Sequence, residues 1–228
     1  MNESNRLEKE QLMDELSDLK IIDSWKKNTQ PWIKAIENSE IETRQQVTNH
    51  VIIKEILASQ PKKVLDIGCG EGWLVRTLES AGIDTLGIDA VPEFIEYGQS
   101  KKQGRFKLLS FESLTYQALQ EKFDIIICNF SLIGKEVVDY LFNKFSELLS
   151  QNGRVIIQTL HPVTSCGNLP YQDGWRKGSW QGFSKEFMDP APWYFRTVEA
   201  WQKLFIDNGF SIDKMIEPVY KKIIGLFL

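Results

Sequence analysis

The chain has 228 residues, which suits one large α/β domain with a substantial apolar core better than two ordinary domains. It carries 27 Lys and Arg against 31 Asp and Glu, and this net charge of −4 argues against nucleic acid as a partner. The three cysteines form no CxxC pair and are accompanied by only two histidines, which argues against a bound metal and favours reduced cytosolic thiols. The first twenty residues lack a signal-peptide core and no later apolar run is long enough to span a bilayer, so we expect a cytoplasmic protein with no membrane partner.

The pattern predicts a single domain, 1–228, made of four consecutive parts. Residues 1–59 read as an N-terminal helical cap and residues 60–160 as the core that binds the ligand. Residues 161–196 read as a lid-like insert, and residues 197–228 as a closing helix followed by a strand hairpin.

The core alternates short β-branched runs with helical patterns, an order that predicts βαβ units and a parallel sheet with helices on both faces. The predicted strands are KVLDIGC, TLGIDA, FKLLS, FDIIICNF and RVIIQTL, with SIDKMIEP and KKIIGLFL forming the last hairpin. They read as continuous apolar runs, as strands covered on both faces do.

The insert after the fifth predicted strand is long and rich in aromatic residues, glycines and prolines. A long connection in a compact domain is either a functional segment or a disordered one, and its aromatic content argues against disorder. Tyr171, Trp175 and Arg176 offer aromatic surfaces and a positive charge, which could recognise a planar or carboxylated acceptor; a dimer contact is the alternative.

A glycine turn, VLDIGCGEGW, follows the first strand and opens a helix, the context of a nucleotide-binding loop. Gly68, Gly70 and Gly72 follow the spacing G-x-G-x-G instead of the G-x-G-x-x-G of dinucleotide folds. Asp66 precedes them, and a carboxylate suits a cationic group better than a pyrophosphate.

Asp89 ends the second predicted strand about twenty residues after the glycines, where a carboxylate can bind both ribose hydroxyls. The ligand is therefore predicted to be a nucleoside with a positively charged tail and no pyrophosphate. S-adenosylmethionine fits this description.

The motifs VLDIGCGEGW, LGIDA, FDIIICNFSL and LLSQNGRVIIQTLHP, in this order, resemble those of the class I S-adenosylmethionine-dependent methyltransferases. The resemblance implies a seven-stranded, mostly parallel Rossmann-like sheet with one antiparallel strand. The segments SWKKNTQPWI, EIETRQQVTN and YQDGWRKGSWQGF further resemble a bacterial subgroup of small-molecule-type methyltransferases, a likeness that adds site residues but no substrate.

The resemblance implies a role for each part of the cofactor site. Its predicted cofactor-binding residues are Arg44, Asp66, Gly68, Cys69, Gly70, Asp89, Ala90, Ser110, Phe111, Asn129 and Phe130. Asp66 would hold the α-amino group, Asp89 the ribose, and Asn129 would face the sulfonium and the acceptor. After the third strand, Ser110, the Phe111 backbone or Glu112 would serve the adenine. Arg44 could clamp the methionyl carboxylate or form a surface ion pair.

His161 ends the fifth predicted strand, where open α/β sheets bind their ligands. Its ordinary pKa suits a general base that removes a proton from a hydroxyl acceptor, while a structural role as a cap at the strand end is equally compatible with the sequence. The predicted function is methyl transfer from S-adenosylmethionine to a small-molecule acceptor, at oxygen. Alternatives are a non-catalytic cofactor-binding module with a protein partner, an RNA methyltransferase and an NAD-dependent oxidoreductase; the oligomeric state stays open.

Overall fold

The computed structural model describes residues 15–220, 223–224 and 226–227, with side chains described from 15 to 219. The helices are α1 (Asp18–Lys27), α2 (Thr29–Glu37), a π-helix (Arg44–Thr48), α3 (Asn49–Ala58), α4 (Trp73–Ser80), α5 (Pro92–Ser100), a 3-10 turn (Phe111–Ser113), α6 (Tyr116–Leu119), α7 (Glu136–Leu148), α8 (Pro162–Ser165) and α9 (Val198–Asp207). The strands are β1 (Lys63–Ile67), β2 (Asp84–Asp89), β3 (Arg105–Leu108), β4 (Phe123–Asn129), β5 (Leu149–Leu160), β6 (Gly174–Arg176), β7 (Trp193–Phe195), β8 (Val219–Tyr220), β9 (Ile223–Ile224) and β10 (Leu226–Phe227).

The main sheet has the order β10-β5-β4-β1-β2-β3, in which β1 to β5 run parallel and β10 pairs antiparallel with β5. The five strands predicted for the core are therefore confirmed, and so is the Rossmann-like α/β class. The apolar runs that predicted β1, β2 and β4 are buried, as in β4, where Ile125, Ile126 and Ile127 are at most 1% exposed. Strand β3, at the edge of the sheet, is mostly exposed. Helices cover both faces of such a sheet because each right-handed crossover packs its helix back onto it.

The predicted seven-stranded sheet is wrong in its strand number. Residues 211–218, predicted as a strand, form no ladder, and β8 pairs instead with β9 in a separate small hairpin. The reason lies in the pattern: the apolar residues Ile212, Met215 and Ile216 do not alternate with period two, and Pro218 has no N–H to donate to a sheet. The predictions for residues 1–14, 221–222, 225 and 228 lie outside the described residues.

Helix α7 shows why the covering helices form where they do. Val138, Leu141, Phe142, Phe145 and Leu148 recur at helical spacing and are all buried against the sheet. The carboxylate of Asp18 in α1 caps the N-terminus of α7 by accepting the N–H groups of Lys135 and Val137. Within the described residues, none of the helices is both long and apolar enough to cross a bilayer.

The segment before β1 is helical from α1 to α3, so the described part of the predicted cap has the expected structure. Ile52 and Ile56 of α3 are fully buried against the sheet. Helices α1 and α2 pack near α5 through a cluster of Ile33, Val91 and Phe94. This places the cap beside the carboxyl end of β2.

Candidate functional site

A cavity of about 390 Å³ opens at the carboxyl ends of β1, β2 and β4, a volume within the usual range of roughly 300–1,000 Å³ for ligand pockets. The carboxyl edge of a parallel α/β sheet is where such folds bind their ligands. Three parts of the chain form the wall: the helical cap, the loops after the strands, and the insert after β5.

The glycine turn forms the floor of the cavity with its backbone. Gly68 and Gly70 have φ angles of +73° and +54°, a region that other residues rarely adopt. A Cβ atom on Gly68 would lie 2.4 Å from Cβ of Ser131, so the turn and the loop after β4 are in close contact. A Cβ on Gly70 would meet only Nε1 of Trp32, at 3.8 Å. Gly70 therefore leaves room for a ligand to lie against the backbone.

Asp66 is a buried carboxylate on the cavity wall, only 2% exposed. Burial, together with the nearby charges of Glu71 and Asp89, raises its pKa to about 8, while Arg44 acts in the opposite direction. Its Oδ1 has no hydrogen-bond partner among the described residues. A buried acceptor without a partner is costly, so this atom is suited to receive a donor from a ligand.

Arg44 is the first residue of the π-helix, and its guanidinium places a positive charge at the cavity wall. Its guanidinium carbon lies 5.6 Å from the ring centroid of Trp32 and 5.2 Å from that of Trp73. Burial lowers its pKa, and the charges of Glu71 and Asp66 oppose this effect. Nearby Glu71 pairs with Arg76 at 3.2 Å, whereas Arg44 forms no ion pair within 4.0 Å among the described residues. Its donors are thus available to bind a carboxylate from a ligand.

Asp89 ends β2 and holds the glycine turn in place. Its Oδ2 accepts a hydrogen bond from the Gly70 N–H at 2.9 Å, and its Oδ1 accepts one from the Val91 N–H at 2.9 Å. Burial raises the pKa of Asp89 to about 6, although these backbone donors favour the ionised form. Because each carboxylate oxygen has two lone pairs, both can also accept hydrogen bonds from a ligand.

Aromatic side chains from the cap and the insert cover the cavity. Trp25 and Trp32 pack edge to face, with ring centroids 5.1 Å apart. From the insert, Trp180 packs on Trp25 at 5.7 Å and Phe183 lies over Trp32 at 6.4 Å. All four line the cavity. The cap and the insert therefore form one continuous aromatic wall.

Hydrogen bonds between the insert and the cap hold this wall together. Nδ2 of Asn28 donates to the Met188 carbonyl at 2.7 Å, and the Met188 N–H donates back to Oδ1 of Asn28 at 2.9 Å. The Asp189 carboxylate pairs with both Lys20 and Lys27 at 2.6 Å. Asn28 is fully buried, so its two backbone contacts fix the position of the insert on the cap.

A family model described as a methyltransferase domain matches residues 42–214, from just before Arg44 to the segment after α9. The chain belongs to this methyltransferase family. The match covers the glycine turn, Asp89 and the loop after β4, so the predicted family, the class I S-adenosylmethionine-dependent methyltransferases, is confirmed. S-adenosylmethionine, the cofactor predicted with it, is supported by this family match and by a solved methyltransferase of the same fold that contains it.

Known proteins resemble this methyltransferase at low identity. An uncharacterized protein of Haemophilus influenzae is 27% identical over 204 residues, which cover 75% of this chain and 78% of that protein. A ubiquinone biosynthesis O-methyltransferase of Rickettsia canadensis is 24% identical over 165 residues, covering 69% of this chain and 66% of that enzyme. The crystal structure of an S-adenosylmethionine-dependent methyltransferase from Clostridium acetobutylicum has a TM-score of 0.66 at 17% identity, covering 86% of this chain and 96% of the other. It shows the shared fold.

Most of the predicted cofactor residues of the methyltransferase meet at the cavity. Those that line it are Arg44, Asp66, Gly68, Cys69, Gly70, Asp89, Ala90, Phe111, Asn129 and Phe130. Ser110 does not line it, and its hydroxyl lies 3.2 Å from that of Ser113. Of the alternatives named for the adenine contact, Phe111 and Glu112 both reach the wall.

His161 lies outside the cavity wall and is 5% exposed. Its Nδ1 accepts the Val163 N–H at 3.2 Å, which caps α8, and its Nε2 lies 2.6 Å from Oε1 of Glu217. An Nδ1 that accepts a hydrogen bond leaves the proton on Nε2, which donates to Glu217. The geometry favours the structural capping role over the general base, because both ring nitrogens are engaged away from the cavity.

The three insert residues predicted to bind the acceptor also lie away from the cavity wall. The Tyr171 hydroxyl accepts the Val198 N–H at 2.9 Å, and Trp175 packs edge to face on Tyr194. Arg176 donates to two backbone carbonyls within the insert. These contacts stabilise the insert itself, because β6 and β7 pair as a hairpin beside α9.

The wall also contains residues that were not predicted, among them Trp180, Phe183 and Thr48. The Oγ1 atom of Thr48 is buried without a hydrogen-bond partner among the described residues. Its spacing of four residues from Arg44 was a usable signal, since such residues share one helix face. Trp180 and Phe183 had no signal that separated them from the other aromatic residues of the insert.

Proposed function

We propose that this methyltransferase transfers a methyl group to a small-molecule acceptor, at oxygen. The observation that supports it is a cavity of small-molecule size in which carboxylates and Arg44 lie at the glycine turn, while isoleucine and aromatic side chains form much of the remaining wall. A nucleic-acid substrate would require an open basic surface, and the net charge of −4 argues against one. The similarity to a ubiquinone biosynthesis O-methyltransferase of Rickettsia canadensis supports oxygen as the methylated atom.

The polar atoms of the cavity fit the cofactor. Asp66 would receive the α-ammonium on its buried Oδ1, which has no other described partner, and Arg44 would pair with the carboxylate. Asp89 would accept both ribose hydroxyls. Phe111 would lie against the adenine ring, and the open face of Gly70 would lie beneath the methionyl chain.

The cofactor supplies a methyl carbon that its sulfonium has already activated. The chain then has to align the acceptor and to exclude water. Phe130, with a φ of +57°, and Asn129 end β4 at the cavity, where they can orient the acceptor. The aromatic wall of Trp25, Trp32 and the insert covers the site. Removal of the hydroxyl proton is not assigned to His161, whose ring faces away.

The proposed function is tested first by thermal unfolding. A hundredfold excess of S-adenosylhomocysteine over its dissociation constant is expected to raise the melting temperature by about 5–10 °C, whereas NADH leaves it unchanged. Methyl transfer is then measured by incubating the enzyme with labelled S-adenosylmethionine and a metabolite extract. Label in an ether or ester product supports O-methylation. Label found only in RNA or in a protein contradicts the proposal.

The affinity for S-adenosylhomocysteine is expected to depend on pH through Asp66. Below its pKa of about 8 the free enzyme holds a proton on Asp66, whereas the ligand ammonium favours the ionised form, so binding releases that proton. The association constant should therefore rise as pH increases towards about 8, by at most about tenfold per unit, and level off above it. Calorimetry above about pH 7 keeps most of the titration of Asp89, with its pKa of about 6, below the measured range.

Asp66→Asn is the matched variant for this measurement, because the amide keeps the size of the side chain but cannot titrate. Its affinity should be weaker and nearly independent of pH in the same range. An unchanged pH dependence in Asp66→Asn would assign the proton to another group of the cavity.

A further inference from the structure

The part of the cavity wall that is not assigned to the cofactor is mainly apolar, with Asp18, Ser131 and Thr159 among its polar members. Its apolar surface comes from α1, the loop after β4, the start of α7, the end of β5 and the insert, through Ile21, Ile22, Ile133, Val137, Leu160, Trp180 and Phe183. The indole N–H of Trp180 donates to the Met188 carbonyl at 2.9 Å. Its one polar atom is thus already engaged, so the ring offers only apolar surface to a ligand.

The aromatic rings of this wall are held in fixed positions. Trp180 packs against Phe183 at 5.4 Å and against Phe187 at 4.8 Å between ring centroids, and it contacts Trp25 on the other side. The insert is also fixed to the cap by Asn28. Trp180 stands nearly perpendicular to both Trp25 and Phe183, so these rings form a rigid apolar wall with exposed faces and edges before the ligand arrives. Such a wall favours a rigid aromatic ring, which can make stacked or edge-to-face contacts with it.

The charges of the wall argue against an anionic acceptor. Arg44 is the only basic residue among the described residues of the wall. It lies near the charges of Asp66 and Glu71, and the proposed function assigns it to the cofactor carboxylate. A second anion in the cavity would face carboxylates without a cation of its own. Burying a charged group without a partner of opposite charge is costly.

A cationic acceptor is disfavoured less strongly, by the lack of a carboxylate, among the described residues beside the apolar surface, that is not already hydrogen-bonded. Outside the cofactor region the wall has two carboxylates, Asp18 and Glu112. Both oxygens of Asp18 accept backbone N–H groups at the start of α7, from Lys135 at 2.8 Å and Val137 at 2.9 Å. Glu112 is exposed. Asp18 is therefore the one carboxylate beside the apolar part of the cavity among the described wall residues, and the two N–H groups that it already accepts weaken its attraction for a cation.

From this arrangement we propose that the acceptor is a neutral molecule with a flat aromatic ring, which packs against Trp180 and the isoleucines of α1. The inference rests on the proposed function, because it takes the glycine turn as the cofactor region. It specifies what that function leaves open, the chemical class of the acceptor. Burial of an aromatic ring among such side chains is favourable because it removes apolar surface from water.

The test compares three ring compounds of one size in the presence of saturating S-adenosylhomocysteine. The probes are 2-naphthol, which is neutral near pH 7, 2-naphthoate, which is anionic, and 2-naphthylmethylamine, which is cationic. Fluorescence titration of the wild-type enzyme is expected to show 2-naphthol binding at least about tenfold more tightly than either charged probe, a difference of about 1.4 kcal/mol. Equal or tighter binding of a charged probe would overturn the inference. This comparison uses only the wild-type enzyme, so it does not depend on the folding of a variant.

Trp180→Ala locates the probe, and Trp175→Ala is its matched control in the same insert. Trp175 packs on Tyr194 outside the cavity wall. We expect Trp180→Ala to weaken 2-naphthol binding about tenfold and to leave S-adenosylhomocysteine affinity within about twofold, while Trp175→Ala changes neither. Equal losses in both variants would overturn the placement. If 2-naphthol binds but S-adenosylhomocysteine does not, the proposed function fails and the aromatic site stands.

Discussion

Gly70→Val is expected to abolish binding of S-adenosylhomocysteine while the fold is retained. The backbone of Gly70 has a φ of +54°, and the space where a Cβ would lie is open towards the cavity, with Trp32 the nearest group at 3.8 Å. A valine side chain would fill this space, which the proposal assigns to the methionyl chain. Isothermal titration calorimetry measures the loss.

Gly82→Val controls for backbone strain. Gly82 also has a positive φ, +82°, and a Cβ there would meet nothing within 4 Å, at a turn after α4 far from the cavity. Both variants carry the cost of a positive φ in a residue with a Cβ, about 1–2 kcal/mol, so their melting temperatures should fall similarly. Only Gly70→Val should lose the ligand. Normal binding by Gly70→Val would show that the cofactor lies elsewhere.

Asp89→Ala is expected to weaken S-adenosylhomocysteine binding by roughly 1–3 kcal/mol, which corresponds to about 5- to 150-fold. Two effects combine in this change. The ribose loses its charged hydrogen-bond acceptor, and the Gly70 N–H loses the Oδ2 that holds the glycine turn at 2.9 Å. The dissociation constant is measured by calorimetry near pH 7.5, where Asp89, with its pKa of about 6, is ionised in the wild type.

Asp84→Ala is the matched control because it removes a carboxylate from the opposite end of the same strand. Asp84 begins β2 and pairs with Arg105 on an exposed surface. Exposed pairs of this kind contribute little, so this variant should bind the ligand as the wild type does. Equal affinities for Asp89→Ala and the wild type would remove Asp89 from the site.

The core of the fold and one half of the site could be predicted because their signals are local. Strands β1, β2, β4 and β5 contain short apolar runs, and a glycine turn between a strand and a helix is recognised within ten residues. Asp66 and Asp89 lie at the carboxyl ends of β1 and β2, and Gly70 lies in the turn directly after β1. Since carboxyl ends of parallel strands meet at one edge, these residues had to meet whatever the rest of the chain did.

The strand count and the roles of His161, Tyr171, Trp175 and Arg176 could not be predicted in this way. An aromatic or titratable residue in a long connection binds a ligand or supports its own segment, depending on partners that are distant in sequence. For His161 the partner is Glu217, 56 residues away. Without the ring orientation that this contact imposes, a base and a cap have the same sequence signature.

The sequence alone therefore determined the parallel core, the glycine turn and the carboxylates beneath it, because each depends on neighbouring residues and on the regular geometry of parallel strands. Only the tertiary structure decided which insert residues face the cavity. Trp180 lies at the wall and Trp175 does not, because the contact between Asn28 and Met188 joins segments 160 residues apart and orients the insert. Such long-range contacts follow from the packing of the whole chain and leave no local pattern.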